Sequence, residues 1–159
     1  MMLAYKFVRM IEHHSEGLAE SLLRRVQHSP LTMDYKKVPE GELKDRVREI
    51  YQHLGGWLLE KSELEVERRY AEIGARRAQQ GVPLSQVVWA IVLTKENLWE
   101  YIRDESIPDR AVEIFGELEL LRLLDQFFDR AMCAVTLGYE ETVSAQHRQE
   151  TLRMAGHRV

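Results

Sequence analysis

The chain lacks the cysteine pairs and the long apolar runs that are typical of disulfide-rich, metal-binding and membrane-spanning proteins. Its single cysteine, Cys133, cannot form an intrachain disulfide, and alone it cannot supply a cysteine zinc site or an iron–sulfur site. This usage is typical of a reducing compartment, so we predict a cytoplasmic protein. No apolar run approaches the roughly 18 residues that span a bilayer. Charges at Lys6 and Arg9 interrupt the start of the chain, and we expect no signal peptide there.

The sequence also lacks an excess of one charge sign. Its 22 Lys and Arg residues stand against 26 Asp and Glu residues, which leaves a formal net charge of −4. The two signs alternate along the chain, so no broad basic surface is expected. We therefore predict that neither nucleic acid nor a membrane is a partner.

Glycine and proline are few, and the apolar residues between them recur at spacings of three and four. Nine glycines and four prolines occur in 159 residues, of which 45% are hydrophobic. The spacing is that of amphipathic helices and predicts an all-α bundle of about five helices in one domain. A loop from Leu31 to Val38 is expected after the first helix, and Gly55-Gly56 is expected to end or kink the second. The predicted helices run from Leu3 to His28, from Pro39 to about Leu58, from Ser62 to Gly81, from Pro83 to about Ser106, and from Asp109 to about Ala155.

The last predicted helix is too long for the bundle. From Asp109 to Ala155 it would measure roughly 70 Å at 1.5 Å per residue, so part of it must project. After Val143 the sequence becomes polar and has no apolar seam for a coiled coil. We predict a helical domain over 1–143 and a polar extension over 144–159, frayed or ordered only by a partner.

Motifs of common active sites are absent from the sequence. It has no glycine-rich phosphate loop, no G-x-S-x-G, no H-E-x-x-H and no pair of E-x-x-H helices. Acidic residues are numerous, but on helices of alternating charge they are typical of a solvated face. We therefore predict a non-catalytic protein without metal or cofactor. An enzyme that holds a metal with bundle carboxylates is kept as an alternative.

Cations within apolar stripes are the first candidates for a binding site. Arg77 follows Tyr70 and Ile73 on the third helix, and Lys95 lies between Ile91 and Leu98 on the fourth. A buried cation must be paired, because desolvating an isolated charge is very costly. The partner is either a carboxylate of the protein or an anionic ligand, unless the side chain reaches solvent.

Histidine and aromatic side chains are the second group of candidates. Adjacent residues on a helix point about 100° apart, so His13 and His14 do not converge. His14 falls on the apolar stripe, where it is either a hydrogen-bonded core or boundary residue or a metal or haem ligand. Large aromatic side chains either belong to the core or line a pocket for a flat apolar ligand. These are Trp57, Trp89, Trp99, Phe115, Phe127 and Phe128. Cys133 lies off the main stripe and is expected at the surface or at a subunit contact.

One segment resembles a known family. The residues from Ile73 to Ile91, with Gln80-Gly81-Val82-Pro83-Leu84 at their centre and Leu98-Trp99 beyond, are similar to the N-terminal domain of RsbRD-type proteins. These proteins are RsbT co-antagonists of the stressosome, and the domain also precedes histidine kinases and other signalling modules. The likeness covers roughly residues 10–135, and a similar turn and helix occur in some PucR-like regulators. In physical terms the segment is a helix stop followed directly by a helix start.

The resemblance implies an input domain that senses or docks, with the signal leaving through the C-terminal helix. Related stressosome input domains are globin-like without haem, so a globin-like bundle is expected here. No STAS or kinase module lies within the 159 residues, so the chain is either a free-standing homologue or the input part of a longer protein. The family supplies no settled ligand residues.

These features together predict a signalling input domain that is homodimeric through its last helix. It would sense an unidentified small ligand or dock a protein partner or output module. The alternative from another class is a small-molecule or haem-binding helical carrier that uses His14 or the aromatic residues of the fourth helix.

Overall fold

The computed structural model describes residues 2–59, 63–105 and 111–157, with side chains except at 2–4, 63 and 111–117. Within these ranges the chain is helical and has no strand, which confirms the all-α prediction. Seven α-helices and one 3-10 helix are described, so the predicted count of about five is too low. Their bounds are α1 Met2–His13, α2 Ser15–His28, the 3-10 helix Pro30–Lys37, α3 Glu40–Gln52, α4 Leu54–Leu59, α5 Glu63–Gln79, α6 Leu84–Glu105 and α7 Ala111–Gly156.

The predicted first helix is divided at His14. This residue has φ −102° and ψ 17° and separates α1 from α2. No glycine or proline marks the break in the sequence. The two halves pack on different neighbours, α1 on α4 and α7, and α2 on α3 and α6. One straight helix could not make both sets of contacts, so tertiary packing determines the break.

The predicted second helix is divided at His53 and not at the glycine pair. Gly55 and Gly56 lie inside α4, where the Gly55 amide donates to Glu12 Oε1 over 2.9 Å. A Cβ atom on Gly55 would lie closer than 3.0 Å to the Glu12 side chain. The glycine therefore allows α1 to approach α4, and the prediction that this pair ends or kinks the helix is wrong.

The segment expected to be a loop from Leu31 to Val38 is mostly a 3-10 helix. Ser29 Oγ accepts a hydrogen bond from the Leu31 amide, and Thr32 Oγ1 donates to the Val26 carbonyl oxygen over 2.7 Å. Thr32 departs from helical dihedral angles within this segment. Tyr35 is buried, so the segment contributes a side chain to the core.

The turn between α5 and α6 has the geometry that its sequence predicts. Gly81 has φ +74°, a left-handed conformation that glycine adopts without a Cβ penalty. The Gly81 amide donates to the Ala78 carbonyl oxygen and the Val82 amide to that of Arg77, each over 3.1 Å. Helix α6 begins directly after Pro83. The predicted start of α5 at Ser62 and that of the last helix at Asp109 lie outside the described residues.

Helices α5 and α7 form the most extensive helix pair and run parallel. Glu67 pairs with Arg130 near one end of α5, and Tyr139 Oη donates to the Val82 carbonyl oxygen just beyond its other end. Helix α6 runs antiparallel to α7, because Lys95 pairs with Asp125 while Val87 and Val135 line one cavity. Helix α1 also packs on α7, α2 and the 3-10 helix pack on α6, and α3 packs on α2. The predicted apolar stripes are largely buried. Their most enclosed members include Ile11, Leu22, Leu54, Val87, Leu98, Leu124, Phe128 and Val135.

The long last helix is confirmed. Helix α7 has 46 residues without a break, which corresponds to about 69 Å. It is helical to Gly156, and that the segment after Val143 frays or is ordered by a partner stays a prediction. Good helix formers such as Gln149, Leu152 and Arg153 extend a helix that the core has already nucleated.

Candidate functional site

The most enclosed charge among the described residues is Arg77, in the last turn of α5. Its side chain is buried, with a residue exposure of 2%. Its Nη1 donates to Glu42 Oε1 over 2.9 Å and to Gln80 Oε1 over 2.7 Å. Gln80 Nε2 in turn donates to Glu42 Oε2 over 3.0 Å. Arg77, Glu42 and Gln80 therefore form a closed triangle that joins α3 to the end of α5.

Two further side chains complete this cluster. Arg76 donates to both oxygens of Glu42 over 3.3 Å from the solvent side. On the inner side the Arg77 guanidinium carbon lies 5.7 Å from the centroid of the Tyr35 ring, within the range of a cation–π contact. The sequence predicted a protein carboxylate or an anion as the partner of a buried Arg77, and Glu42 is that carboxylate.

The cluster shifts the pKa values of its members. Burial acts to raise the pKa of Glu42, but the hydrogen bonds and charges of Arg76 and Arg77 outweigh it and lower that pKa from 4.5. Burial raises the pKa of Tyr35 to about 12, although the Arg77 guanidinium acts in the opposite direction. At neutral pH the cluster therefore contains an ionised Glu42 and a neutral Tyr35.

A cavity of about 60 Å³ lies beside Arg77, where the helices of the bundle meet. Its walls are almost entirely aliphatic or aromatic. The Nε–H of Arg77 is buried and has no hydrogen-bond acceptor among the described residues. The lining comes from α2, the 3-10 helix, α3, α5, α6 and α7 and includes Leu22, Val26, Tyr35, Leu43, Arg46, Val47, Ile50, Tyr70, Ile73, Arg77, Val87, Ala90, Ile91, Thr94 and Val135.

A second buried polar cluster, which sequence reasoning missed, surrounds Asn97 of α6. Asn97 is 3% exposed. Its Nδ2 donates to the Leu18 carbonyl oxygen and to Tyr51 Oη, each over 3.1 Å, and its Oδ1 accepts from Ser21 Oγ over 2.7 Å. Tyr51 Oη itself donates to the Thr94 carbonyl oxygen over 3.3 Å. The only available signal was a polar residue beside Leu98 in the apolar stripe, and it does not identify a partner.

Lys95 lies apart from the Arg77 cavity. Its Nζ is 2.7 Å from Asp125 Oδ1, and its side chain is partly exposed. The pair joins α6 to α7 at the surface. Two sequence signals of the same kind thus have different outcomes, since Arg77 is buried and Lys95 is not.

The tryptophan candidates do not converge on the cavity. Trp89 is 41% exposed on the outer side of α6, and Trp99 is partly buried. Neither is part of the described lining of the cavity. Trp57 instead stacks on Phe127 at a centroid distance of 5.7 Å. The side chain of Phe115 lies outside the described residues.

His14 is exposed at the break between α1 and α2, so of the two structural positions expected for it, core or boundary, the core position is wrong. Its Nδ1 donates to the Met10 carbonyl oxygen over 2.9 Å, and its ring lies 5.5 Å from that of Tyr101. Cys133 is also exposed. In the part of the chain that the structure describes, no three His, Cys, Asp or Glu side chains are grouped as metal ligands.

Helix α7 leaves the bundle near Tyr139, and we call its residues 144–156 the C-terminal arm. Residues 146–157 are all exposed. Leu152 and Met154 are 72% and 75% exposed on this otherwise polar segment. Over residues 2–59, 63–105 and 111–157, no helix is both long and apolar enough to cross a bilayer.

Comparisons with known proteins identify the family. No curated protein and no solved structure matches the chain, so the globin-like fold stays a prediction. The sequence model of the RsbT co-antagonist protein rsbRD N-terminal domain matches residues 16–154. This match includes the α5–α6 turn and most of the C-terminal arm. The chain therefore belongs to the RsbRD N-terminal domain family.

Proposed function

We propose that this chain is a non-catalytic, cytoplasmic input domain of a stressosome-type signalling system. The observation that carries the proposal is the continuity of α7. One helix passes from the core, where Val135 is fully buried, to an exposed arm of about 20 Å. A change in the packing of α7 within the bundle would move or rotate the arm as a rigid rod.

The arm is the proposed contact with a protein partner or an output module. Leu152 and Met154 have no tertiary burial. They point about 200° apart around α7, so each offers one apolar contact on a different face of the arm that a partner would cover. We further propose that two copies of the chain associate through α7. The ligand or partner that biases the packing would prefer one of two helix arrangements.

Insertions in the arm test transmission through α7. We would fuse the full chain through α7 to a histidine kinase module and insert one to seven alanines after Gln146. Each alanine rotates the output by about 100°, and seven nearly restore the phase. We expect kinase activity to vary with insertion length and to return at seven. Equal activity at every length would contradict rigid transmission, and a Gly-Ser-Gly insertion serves as the uncoupled control.

Sedimentation velocity tests the role of the arm in association. We expect the full chain to sediment as a dimer and a chain that ends at Val143 to shift towards the monomer. Leu152→Ser with Met154→Ser should act in the same direction. Leu64→Ser is the matched control, since Leu64 is equally exposed on α5. An unchanged sedimentation coefficient after truncation would remove the arm from the dimer interface.

Two measurements distinguish the alternative classes. A haem carrier would show a Soret band after purification, whereas an input domain of the proposed kind shows none. The described residues do not favour haem binding. The cavity beside Arg77 has no histidine in its described lining that could bind the iron, and His14 lies at the surface. A metal-dependent enzyme would retain stoichiometric metal after mild purification, and we expect none.

A further inference from the structure

We propose that the cavity beside Arg77 binds a small neutral molecule, mostly apolar, whose single hydrogen-bond acceptor receives the Nε–H of Arg77. The inference deepens the proposed function by naming the chemical class that the input domain senses. The regulatory role of the ligand rests on the proposed signalling function, whereas binding of the ligand to the cavity does not.

The volume of the cavity limits the size of the ligand. An engineered protein cavity of about 150 Å³ is large enough for benzene. The cavity here measures about 60 Å³, so on that scale it accommodates two or three heavy atoms. A haem, a nucleotide or an amino acid is too large for it.

The chemistry of the walls limits the polarity of the ligand. Thr94 Oγ1 already donates to the Ala90 carbonyl oxygen, and the Arg46 guanidinium is paired with Glu49. Among the cavity-lining side chains that the structure describes, Arg77 Nε is the buried polar atom left without a partner. The Arg77 Nε–H is therefore a buried donor left free in a mostly aliphatic and aromatic surrounding, to which Tyr35 and Tyr70 contribute their rings and hydroxyl groups. This arrangement fits a small molecule with an acceptor for Arg77 and an apolar remainder.

The charge of the cluster favours a neutral ligand over an anion. Glu42 pairs with Arg77 at 2.9 Å, and Arg76, which shares this carboxylate, has its side chain half-exposed to solvent. The buried guanidinium therefore already has its counter-charge. A carboxylate brought into an apolar cavity would lose its hydration for a single hydrogen bond. Water is also poorly suited, because a buried water typically makes about three hydrogen bonds.

The position of the cavity connects it to the C-terminal arm. Its lining includes Ile73 and Arg77 of α5 and Val135 of α7, which flank the close contact between these two helices at Gly74. A ligand that enters would press on both helices where α7 is held. Occupancy would thus favour one packing of α7 over another.

The test uses two probes of the same shape on the full chain. Dimethyl ether and propane each have three heavy atoms, and only the ether has an acceptor. We would titrate each into protein carrying ¹³C-labelled methyl groups and follow Ile91, Val87 and Val135 by NMR. We expect both to shift these methyl signals, with the ether binding roughly ten- to a hundredfold more tightly, the effect of one hydrogen bond to a charged group.

Two substitutions at neighbouring positions test the donor. Arg77→Met should abolish the preference for the ether, and Arg76→Met should retain it, because Arg76 also contacts Glu42 but does not line the cavity. If Arg77→Met does not fold, Ala90→Leu fills the cavity from α6 and should remove the binding of both probes.

Three outcomes would overturn the proposal. If neither probe shifts the NMR signals of the methyl groups that line the cavity, the cavity is not a ligand site. Equal affinities in the unsubstituted chain would exclude Arg77 Nε as the donor. Water signals at Val87 and Val135 that the ether does not displace would identify water as the occupant. Each result is independent of the insertion series in the kinase fusion, so failure of the site and failure of the signalling proposal are distinguishable.

Discussion

Gly74 of α5 and Gly138 of α7 lie on facing surfaces where the two parallel helices come closest. A Cβ atom on Gly74 would lie closer than 3.0 Å to the carbonyl oxygen of Val135, and one on Gly138 would meet that of Ala71 equally closely. Backbone atoms therefore touch across this pair. The contact lies one turn from Arg77, at the level where α7 begins to leave the bundle.

Alanine at either glycine is expected to destabilise the protein. The added methyl must push two helix backbones apart, and overpacking of this kind costs about 1–3 kcal/mol. Because the obstacle at 2.1 Å is backbone, we expect the upper part of this range, which outweighs the gain of about 1 kcal/mol that alanine brings to a helix interior. Urea unfolding followed by circular dichroism measures the difference for Gly74→Ala and Gly138→Ala.

Gly17→Ala is the matched control for this prediction. Gly17 lies in α2, and a Cβ atom there would meet nothing within 4 Å. Its substitution should stabilise the protein by about 0.4–1 kcal/mol. If all three substitutions stabilised the protein alike, the close contact of α5 with α7 would be wrong.

Gly81 provides a prediction about backbone conformation alone. A Cβ atom at Gly81 would have open space, but φ is +74°. Gly81→Ala should cost about 1–2 kcal/mol because the left-handed region is unfavourable for residues with a Cβ atom. Gly81→Asn should cost less, since asparagine tolerates this region better. Equal losses from the two substitutions would point to a steric cause instead.

Glu42 is expected to make stability depend on acid pH. Its pKa is lowered from 4.5 in the folded chain, so below neutral pH the unfolded chain binds a proton more readily than the folded one. The stabilising contribution is present above pH 4.5 and is lost as pH falls through the lower folded pKa. The urea midpoint of Glu42→Gln should approach that of the unsubstituted chain as pH falls from 7 to 3.

The control for this pH profile is Glu40→Gln on the same helix. Glu40 forms an exposed pair with Lys44 over 3.1 Å, and such pairs contribute little. Its profile should follow that of the unsubstituted chain. A constant gap between Glu42→Gln and the unsubstituted chain across this pH range would show that the Arg77 cluster does not hold the Glu42 charge.

Local sequence signals predicted the elements better than the boundaries between them. The stop and start at Gly81 and Pro83 are encoded by two residues whose backbone preferences are strong, and the structure has this turn as predicted. The breaks at His14 and His53 carry no such signal. They follow from tertiary packing: α1 packs mainly on α7 whereas α2 packs on α3 and α6, and α3 packs mainly on α2 whereas α4 packs on α1 and α7. These contacts are a property of the whole bundle.

The sequence predicted a buried cation at the candidate site but did not identify the residue that pairs with it. Arg77 in an apolar stripe indicates a buried cation, and the structure buries it. Its carboxylate, Glu42, is 35 residues away on α3, and helical spacing cannot relate residues on different helices. The cavity escaped prediction for the same reason, because six elements contribute to its lining. Lys95 has the same sequence signal as Arg77, but it lies at the surface, where it pairs with Asp125 of α7.

Asn97 provides the last prediction, because its side chain connects α6 to α2 and α3. Removal of its amide leaves Ser21 Oγ without its acceptor and Tyr51 Oη without a donor. Asn97→Ala should therefore destabilise the protein by about 1–3 kcal/mol for each buried polar group left unpaired. Asn97→Asp keeps the shape but introduces a buried carboxyl group, which at neutral pH either ionises away from water or keeps a proton that the unfolded chain releases. Its loss of stability should be greater at pH 7 than at pH 4, since burial opposes the charged form. Ser21→Ala removes only one hydrogen bond and should show no such dependence on pH. A loss for Asn97→Asp that is equal at both pH values would mean that water reaches this position.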